Sequence, residues 1–492
     1  MAIPRRDFLR LAAWVAAGAG AGACSPIYRR LAGGLPAPDV WSGDGLEFSL
    51  LSRLTYGPRP EERRRASEIG LAEWIEEQLA PESIDDPMGW RLRPLDTLTR
   101  DADELDDRDR EEILWQIKQG TLLRQVYSRR QLFETMVEFW TDHFNISVHK
   151  EGCLPLKVVD DREVIRRHAL GSFRDLLWAS AHSPAMLIYL DNQVSDRTAP
   201  NENYARELME LHTLGVDGGY SQRDVMDLAR CLTGWTVKDH FWRGRFTFDP
   251  DRHDGGTKSV LGMTVTADGQ GEAEAVLERL ARHPATGRFL ARKLARRFLH
   301  DGGEQAAPEI VARAAEAFQR TGGDIRSVLR VVLLDGLAGG VGLGPKFKRP
   351  VDFVVSALRL TQAEVDGGSA VHTYLRRMGQ APFEWPTPDG PPDVAPAWSG
   401  NLMPRWQFAL GLARGEIEGV RVAPSDLLRA SGPSGPVEAL TSLGRLLLGS
   451  PLAASASHAM LSAFGEKPDP QDPLFAAIAI AGLLASPAFQ WR

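Results

Sequence analysis

Asn201 to Trp235, NENYARELMELHTLGVDGGYSQRDVMDLARCLTGW, holds three glutamates, an arginine, two asparagines and a histidine in its first twelve positions. Glu207 and Glu210, three apart on a helix, present two carboxylates to one side. Such a pair could hold a divalent metal or divide acid and base roles. His143 and His253 could complete the site from distant parts of the chain, so the metal candidates are His143, Glu207, Glu210 and His253. With a metal the chemistry would be hydrolysis by an activated water. Without one, two carboxylates suit glycoside cleavage. The catalytic candidates are therefore Glu207, Glu210, His143, Arg206 and Asp254. Asn201, Glu202, Asn203, Asn145 and Lys258 could bind substrate, and Trp385 and Trp398 could stack on a sugar.

Every one of these residues also has a structural reading. At 100° per residue, Tyr204, Ala205, Leu208, Leu211 and His212 share one arc and form the expected core face. Asn203, Arg206, Glu207 and Glu210 share the opposite arc, with Glu202 and Thr213 beside it. Glu202/Arg206 and Arg206/Glu210 are each four apart, so a solvated ion-pair ladder explains the same pattern. His143 follows the apolar Phe139-Trp140 of a helix, as a packed, hydrogen-bonded histidine would. His253-Asp254 lies beside a glycine-rich turn, where aspartate commonly bonds its own backbone.

The elements that must position these groups are mostly helices. Gly215 suits a left-handed helix end, Asp217-Gly218-Gly219 a turn, and Ser221 with Asp224 a capping box opening the next helix. Asn201 to Trp235 thus reads as a helical hairpin, and its turn lacks the ligand spacing of a calcium loop. From Leu46 onward, segments such as RRQLFETMVEFWTDHF, ATGRFLARKLARRFL and VDFVVSALRL show the same three-four spacing. Phe246 to Phe248 and Lys258 to Val265, flanking DPDRHDGG, suggest a β-hairpin over about 244–266. Residues 380–405 are proline-rich and carry Trp385 and Trp398, which indicates an ordered loop. The expected fold is mainly α: residues 46–492 form one large multi-helix body with a small β-hairpin insertion and a Pro/Trp-rich loop.

Hydrophobic content of 43% and charged content of 25% are ordinary for a globular chain. The net charge of −7 offers no broad cationic surface, so nucleic acid is not an expected partner. The basic clusters Arg63 to Arg65 and Arg292 to Arg297 read as solvated helix faces. Arg5-Arg6-Asp7-Phe8-Leu9-Arg10 precedes a short Gly/Ala-rich apolar run, the pattern of a twin-arginine export signal over residues 1–23. The expected location is periplasmic or extracellular. Cys24, after Ala21-Gly22-Ala23, resembles the acylated cysteine of a lipoprotein, although Ala21 stands where leucine is usual. Residues 24–45 read as a tether. Cys153 and Cys231 are too few for a disulfide framework, and no later apolar run is long enough for a transmembrane span.

The stretch from Asn201 to Trp235 resembles the signature of the bacterial family called domain of unknown function 1800. The resemblance extends to EFWTDHFN, HALGSFRDLLWASAHSPAMLIYLDN, HDGGTKSVLG, HPATGRFLARKLARRF, KRPVDFVVSALR and PTPDGPPD with WSGNLMPR. One departure is Pro391-Pro392-Asp393, where a tryptophan after the glycine is commoner. The resemblance implies export, often by the twin-arginine route, and a partner from a second exported family of unknown function, 1501. It implies no reaction.

GxSxG, HExxH, a P-loop, paired CxxC and a strand-anchored dinucleotide fingerprint are all absent from the sequence. Two readings follow. One is an exported hydrolase of extracytoplasmic material such as polysaccharide, using clustered carboxylates and histidine with or without a divalent metal. The other is a non-catalytic binding or assembly protein working with an exported partner.

Overall fold

The computed structural model describes residues 45–238, 244–429, 433, 435–464 and 468–492. The expected export signal, the tether and Cys24 lie outside them. Helices dominate, with three short two-stranded ribbons. No helix among the described residues is long and apolar enough to cross a membrane.

The helix Gln131–His143 shows why the chain folds around its own charges. Leu132, Met136, Phe139, Trp140 and His143 follow helical spacing and are buried. Glu134, Glu138 and Asp142, each four apart, make a second stripe that is also covered or partly covered. A helix with two inward faces belongs between layers. One large core packs on its apolar face, with Leu177, Leu208, Leu228 and Leu294 among its members. A second, built mostly from residues beyond Val351, includes Phe353, Leu358, Phe408 and Ile480.

The helical hairpin forms as the caps require. The Asn201 side chain accepts from the Asn203 amide at 2.9 Å, and Ser221 and Asp224 make a reciprocal capping box. Gly215 takes φ +81°, left-handed as expected. The first helix departs from the ideal wheel. Glu202–Glu207 is α-helical, but Leu208–Thr213 is a π-helix, with the Leu214 amide bonding Met209 O at 2.9 Å. The wider turn rotates the later residues. Thr213 is buried although the 3.6 period put it beside the polar arc, and Leu211, expected in the core, is partly exposed.

The β segments pair differently from the expected single hairpin. Phe246–Phe248 pairs antiparallel with the upstream Trp235–Val237, and Ser259–Val260 pairs with Met263–Thr264. Gly234, at φ +81°, lets Trp235 turn out of the preceding helix into a strand, where its ring meets Phe246 edge-on at 5.1 Å. The Ser259 and Leu261 amides instead donate to Asp227 and Asp224 at 3.1 and 2.6 Å. That ties the second ribbon to the helix Gln222–Cys231.

Residues 380–405 form an ordered loop broken by the short helix Ala395–Trp398, and a helix begins at Met403 with Pro404 in its first turn. The loop lies on the end of the Gln131–His143 helix. A Cβ on Gly390 would stand 2.1 Å from Asp142 O, and φ there is +71°, so both contact and conformation require glycine.

Candidate functional site

Beneath the loop lies an ion network centred on Arg349. Its guanidinium reaches Glu138 at 2.8 Å, Asp142 at 2.7 Å and Asp352 at 3.3 Å. Arg297 joins Glu138 at 3.0 Å to Asp352 at 3.4 Å, and Arg492 reaches Asp352 at 2.9 Å. Lys346 contacts Asp301 and Asp393 at 2.9 and 2.8 Å. The Tyr56 hydroxyl donates to Glu138 at 2.9 Å. Burial works to raise the Asp352 carboxyl, but Arg492, Arg297 and Arg349 outweigh it and hold that group far below the usual range. Asp142 goes the other way: burial, helped by Glu138 and opposed by Arg349, pushes it up to about 7. Charges this well covered are tolerated only when every partner is in place.

At the end of the same helix His143 is buried. Its Nε2 lies 3.1 Å from His212 O and its Nδ1 2.9 Å from Lys293 Nζ. A carbonyl only accepts, so Nε2 carries the proton and Nδ1 accepts from the lysine. Burial, then Lys293, then His212 hold His143 well below the ordinary histidine value. It is a neutral acceptor that fixes Lys293. Both ring nitrogens are used, which corrects its expected place as metal ligand or catalyst. Lys293 is partly exposed, and burial pulls it down to about 8 against the pull of Asp142.

Most of the outward groups of the signature helix are paired. Arg206 donates to Glu202 at 3.0 Å and lies 3.6 Å from Glu210, the expected ladder. Gln222 donates to Glu202 at 2.7 Å. Asn201 and Asn203 donate to Asp191 O and Leu190 O at 3.3 and 3.2 Å, fastening the helix start. Arg206 therefore serves the ladder, and Asn201 and Asn203 the helix start. Glu207 is different. It is half-buried and, among the described residues, makes no hydrogen bond or ion pair. Burial raises its carboxyl first, then Glu210, with Asp389 of the loop adding to the shift and Arg206 opposing it. Asp389 also acts electrostatically on Lys293, so it links the two. Glu207 on the signature helix and Lys293 on the helix Pro284–Phe298, which packs against the π-turn Leu208–Thr213, both feel the charge of Asp389, and this polar junction is the seam.

Asn145, buried, donates to Trp385 O at 3.1 Å and Thr387 O at 2.8 Å, and the Tyr189 hydroxyl donates to Pro386 O at 3.0 Å. These bonds hold the loop segment that carries Asp389, so Asn145 positions the loop. Trp385 is partly exposed, but Trp398 is buried with its indole N–H on Pro392 O at 2.7 Å, which removes it as a sugar platform.

The remaining candidates sit apart from the seam. His253 places Nδ1 2.8 Å from Thr233 O and Nε2 3.3 Å from Glu272. Asp254 accepts from Arg230 at 2.7 and 3.1 Å, and that pairing holds it down to about 2. Lys258 is buried on Glu272. All three fasten the second ribbon to its neighbouring helices. Among the described residues no three His, Cys, Asp or Glu side chains gather closely enough to share a metal ion. The four metal candidates therefore do not converge.

Asp142, Lys293, Asp389 and Arg349 were not among the sequence candidates. The four-residue spacing of Glu134, Glu138 and Asp142 was a usable signal for the first. The basic run from Arg292 to Arg297 is solvated only in part, since Arg297 is buried in the ion network and Lys293 is held by His143. Asp389 had no periodic pattern to mark it.

His143, His212 and His372 are all buried and held below 6.5, chiefly by burial, the last two to about 3. In the unfolded chain each titrates near 6.5, so that state binds more protons below that pH. Their stabilisation is complete above about pH 6.5 and is lost as pH falls toward the folded values. Urea midpoints should drop between pH 7 and 5, and His212→Leu should flatten that drop, because both ring nitrogens of His212 lack hydrogen-bond partners. An unchanged pH slope in the variant would refute the assignment.

The fold is mainly helical, and most polar residues of the signature are paired within it, while Glu207 is unpaired among the described residues. The chain belongs to the family described as "Protein of unknown function (DUF1800)", which matches residues 49–491. Neither a curated protein nor a solved structure matches it.

Proposed function

We propose that the protein is an exported hydrolase of extracytoplasmic polysaccharide working by carboxylate acid–base chemistry at the seam. The observation that carries this reading is Glu207: unpaired, half-buried, and raised by burial and by Glu210 and Asp389. A carboxyl that holds its proton more tightly than usual can give it to the glycosidic oxygen as the C–O bond breaks. Asp389, exposed on the loop, then takes a proton from the water that attacks the sugar carbon. Trp385, partly exposed on the same loop, offers a ring face to a sugar. Release of reducing ends from a panel of bacterial and plant polysaccharides, compared between the natural protein and Glu207→Gln or Asp389→Asn, tests this directly. Release that survives both substitutions would overturn it.

The pairing of Glu202, Arg206, Glu210, Asp254 and Lys258 favours a second reading, a non-catalytic binding or assembly protein whose signature is mostly architecture. Its partner would be an exported protein, such as a member of unknown-function family 1501. Export itself is supported by RRDFLR, and a lipid anchor by Cys24. Replacing Arg5 and Arg6 together by lysine should leave the protein in the cytoplasm on cell fractionation. Unchanged export would refute the twin-arginine route.

A further inference from the structure

The helix Pro284–Phe298 presents a cationic face at the seam. Phe289, Arg292, Lys293 and Arg296 recur at helical spacing and share one side. Two contacts aim this face at the signature hairpin. A Cβ on Gly215 would meet the Phe289 ring at 2.9 Å and the Arg292 guanidinium at 3.4 Å. Lys293 hydrogen-bonds His143, whose other nitrogen bonds the His212 carbonyl. The charges on this face are under-compensated. No carboxylate stands within 4.0 Å of Lys293 or Arg296 among the described residues. Arg292 has only Glu304, at 3.7 Å, which is also held by Arg288. Arg296 is exposed and Arg292 and Lys293 are partly so. Asp142, Asp393 and Asp389 are within electrostatic reach of Lys293, and the first two are engaged by Arg349 and Lys346.

A lysine locked in place by a neutral acceptor, partly exposed and with no carboxylate within 4.0 Å among the described residues, is prepared for an anion from outside. Its ammonium is already oriented, so little side-chain freedom is lost on binding. We infer that the Arg292–Lys293–Arg296 face binds the carboxylate groups of an acidic polysaccharide. This rests on the hydrolase reading for its class of ligand but concerns a different side chain and a different measurement. Arg206 does not compete for the anion, because Glu202 and Glu210 already hold it.

The test is calorimetric titration of the full-length Glu207→Gln protein, so that turnover does not enter, with oligogalacturonate and with a neutral cello-oligosaccharide of equal length. The uronate chain should bind, with an affinity that falls as salt rises, and the neutral chain should bind at least about tenfold more weakly. Lys293→Met should weaken uronate binding by about 10- to 100-fold, the loss of one charge-assisted hydrogen bond. Lys293→Arg should recover most of it, which separates charge from folding. Equal binding of the two chains, or uronate binding unchanged in Lys293→Met, would overturn the inference. Uronate binding by Lys293 in a protein that hydrolyses no polysaccharide would sink the hydrolase reading and leave the anion face standing.

Discussion

Arg349→Met should destabilise the protein by about 3–5 kcal/mol, the cost of removing one partner from a covered ion cluster. Arg349 is itself buried and touches Glu138, Asp142 and Asp352, so its loss leaves three carboxylates short of a counter-charge. Arg297 and Arg492 still serve Asp352, and Arg297 still serves Glu138. Asp142 has no second ion partner among the described residues and should suffer most. The sign of the pH dependence follows. With Arg349 gone, the folded-state value of Asp142, already held up to about 7, rises further above its unfolded value near 4. Between those limits the native state holds the extra protons, so the variant loses stability as pH rises. Denaturant midpoints should therefore show a smaller deficit at pH 5 than at pH 8, and adding Asp142→Asn should restore part of it. A deficit below about 1 kcal/mol, or one that grows on acidification, would contradict the role given to Arg349. Because Gly390 packs on the Asp142 backbone, the same variant should also loosen the loop that carries Asp389.

Glu207→Gln should do the opposite, leaving the fold alone and removing function. Glu207 makes no hydrogen bond or ion pair among the described residues, so its neutral isostere should change stability by no more than about 0.5 kcal/mol. Its repulsion with Glu210 and Asp389 even favours a small gain. If Glu207 is the proton donor, turnover on a cleaved polysaccharide should fall by roughly 10²- to 10⁴-fold, the usual worth of a positioned general acid. Glu210→Gln, which removes the ladder member paired with Arg206, should affect turnover far less. The pair of variants separates the two functional readings. In a binding protein both would alter affinity for a partner, and neither would have a turnover to lose.

Much of the scaffold was legible in the sequence because its determinants are local. Ser221 with Asp224 and Gly215 at a helix end each act within four residues, and each does what its type requires. The Glu202–Arg206–Glu210 ladder follows from spacing alone. The β pairing was not legible, because the amides of Ser259 and Leu261 find carboxylates on a helix more than thirty residues upstream. Leu211 and Thr213 were misplaced because helical periodicity cannot register a change from α to π winding. Of the residues in the proposed site, Glu207 was a candidate from the sequence and Lys293 and Asp389 were not. Lys293 and Asp389 come from helix and loop segments with no shared pattern that could link them to Glu207 in the sequence. His143 stood out by type, yet its chemistry depends on which atoms occupy its two nitrogens.

The claim that matters most is that Glu207 remains protonated into the range where glutamates are normally ionised. Its side-chain carboxyl can be titrated by carbon-13 NMR, assigned by the signal lost in Glu207→Gln. The expected result is a value clearly above the ordinary 4.5 that moves down in Asp389→Asn. A value at or below 4.5, indifferent to Asp389, would contradict the site as described.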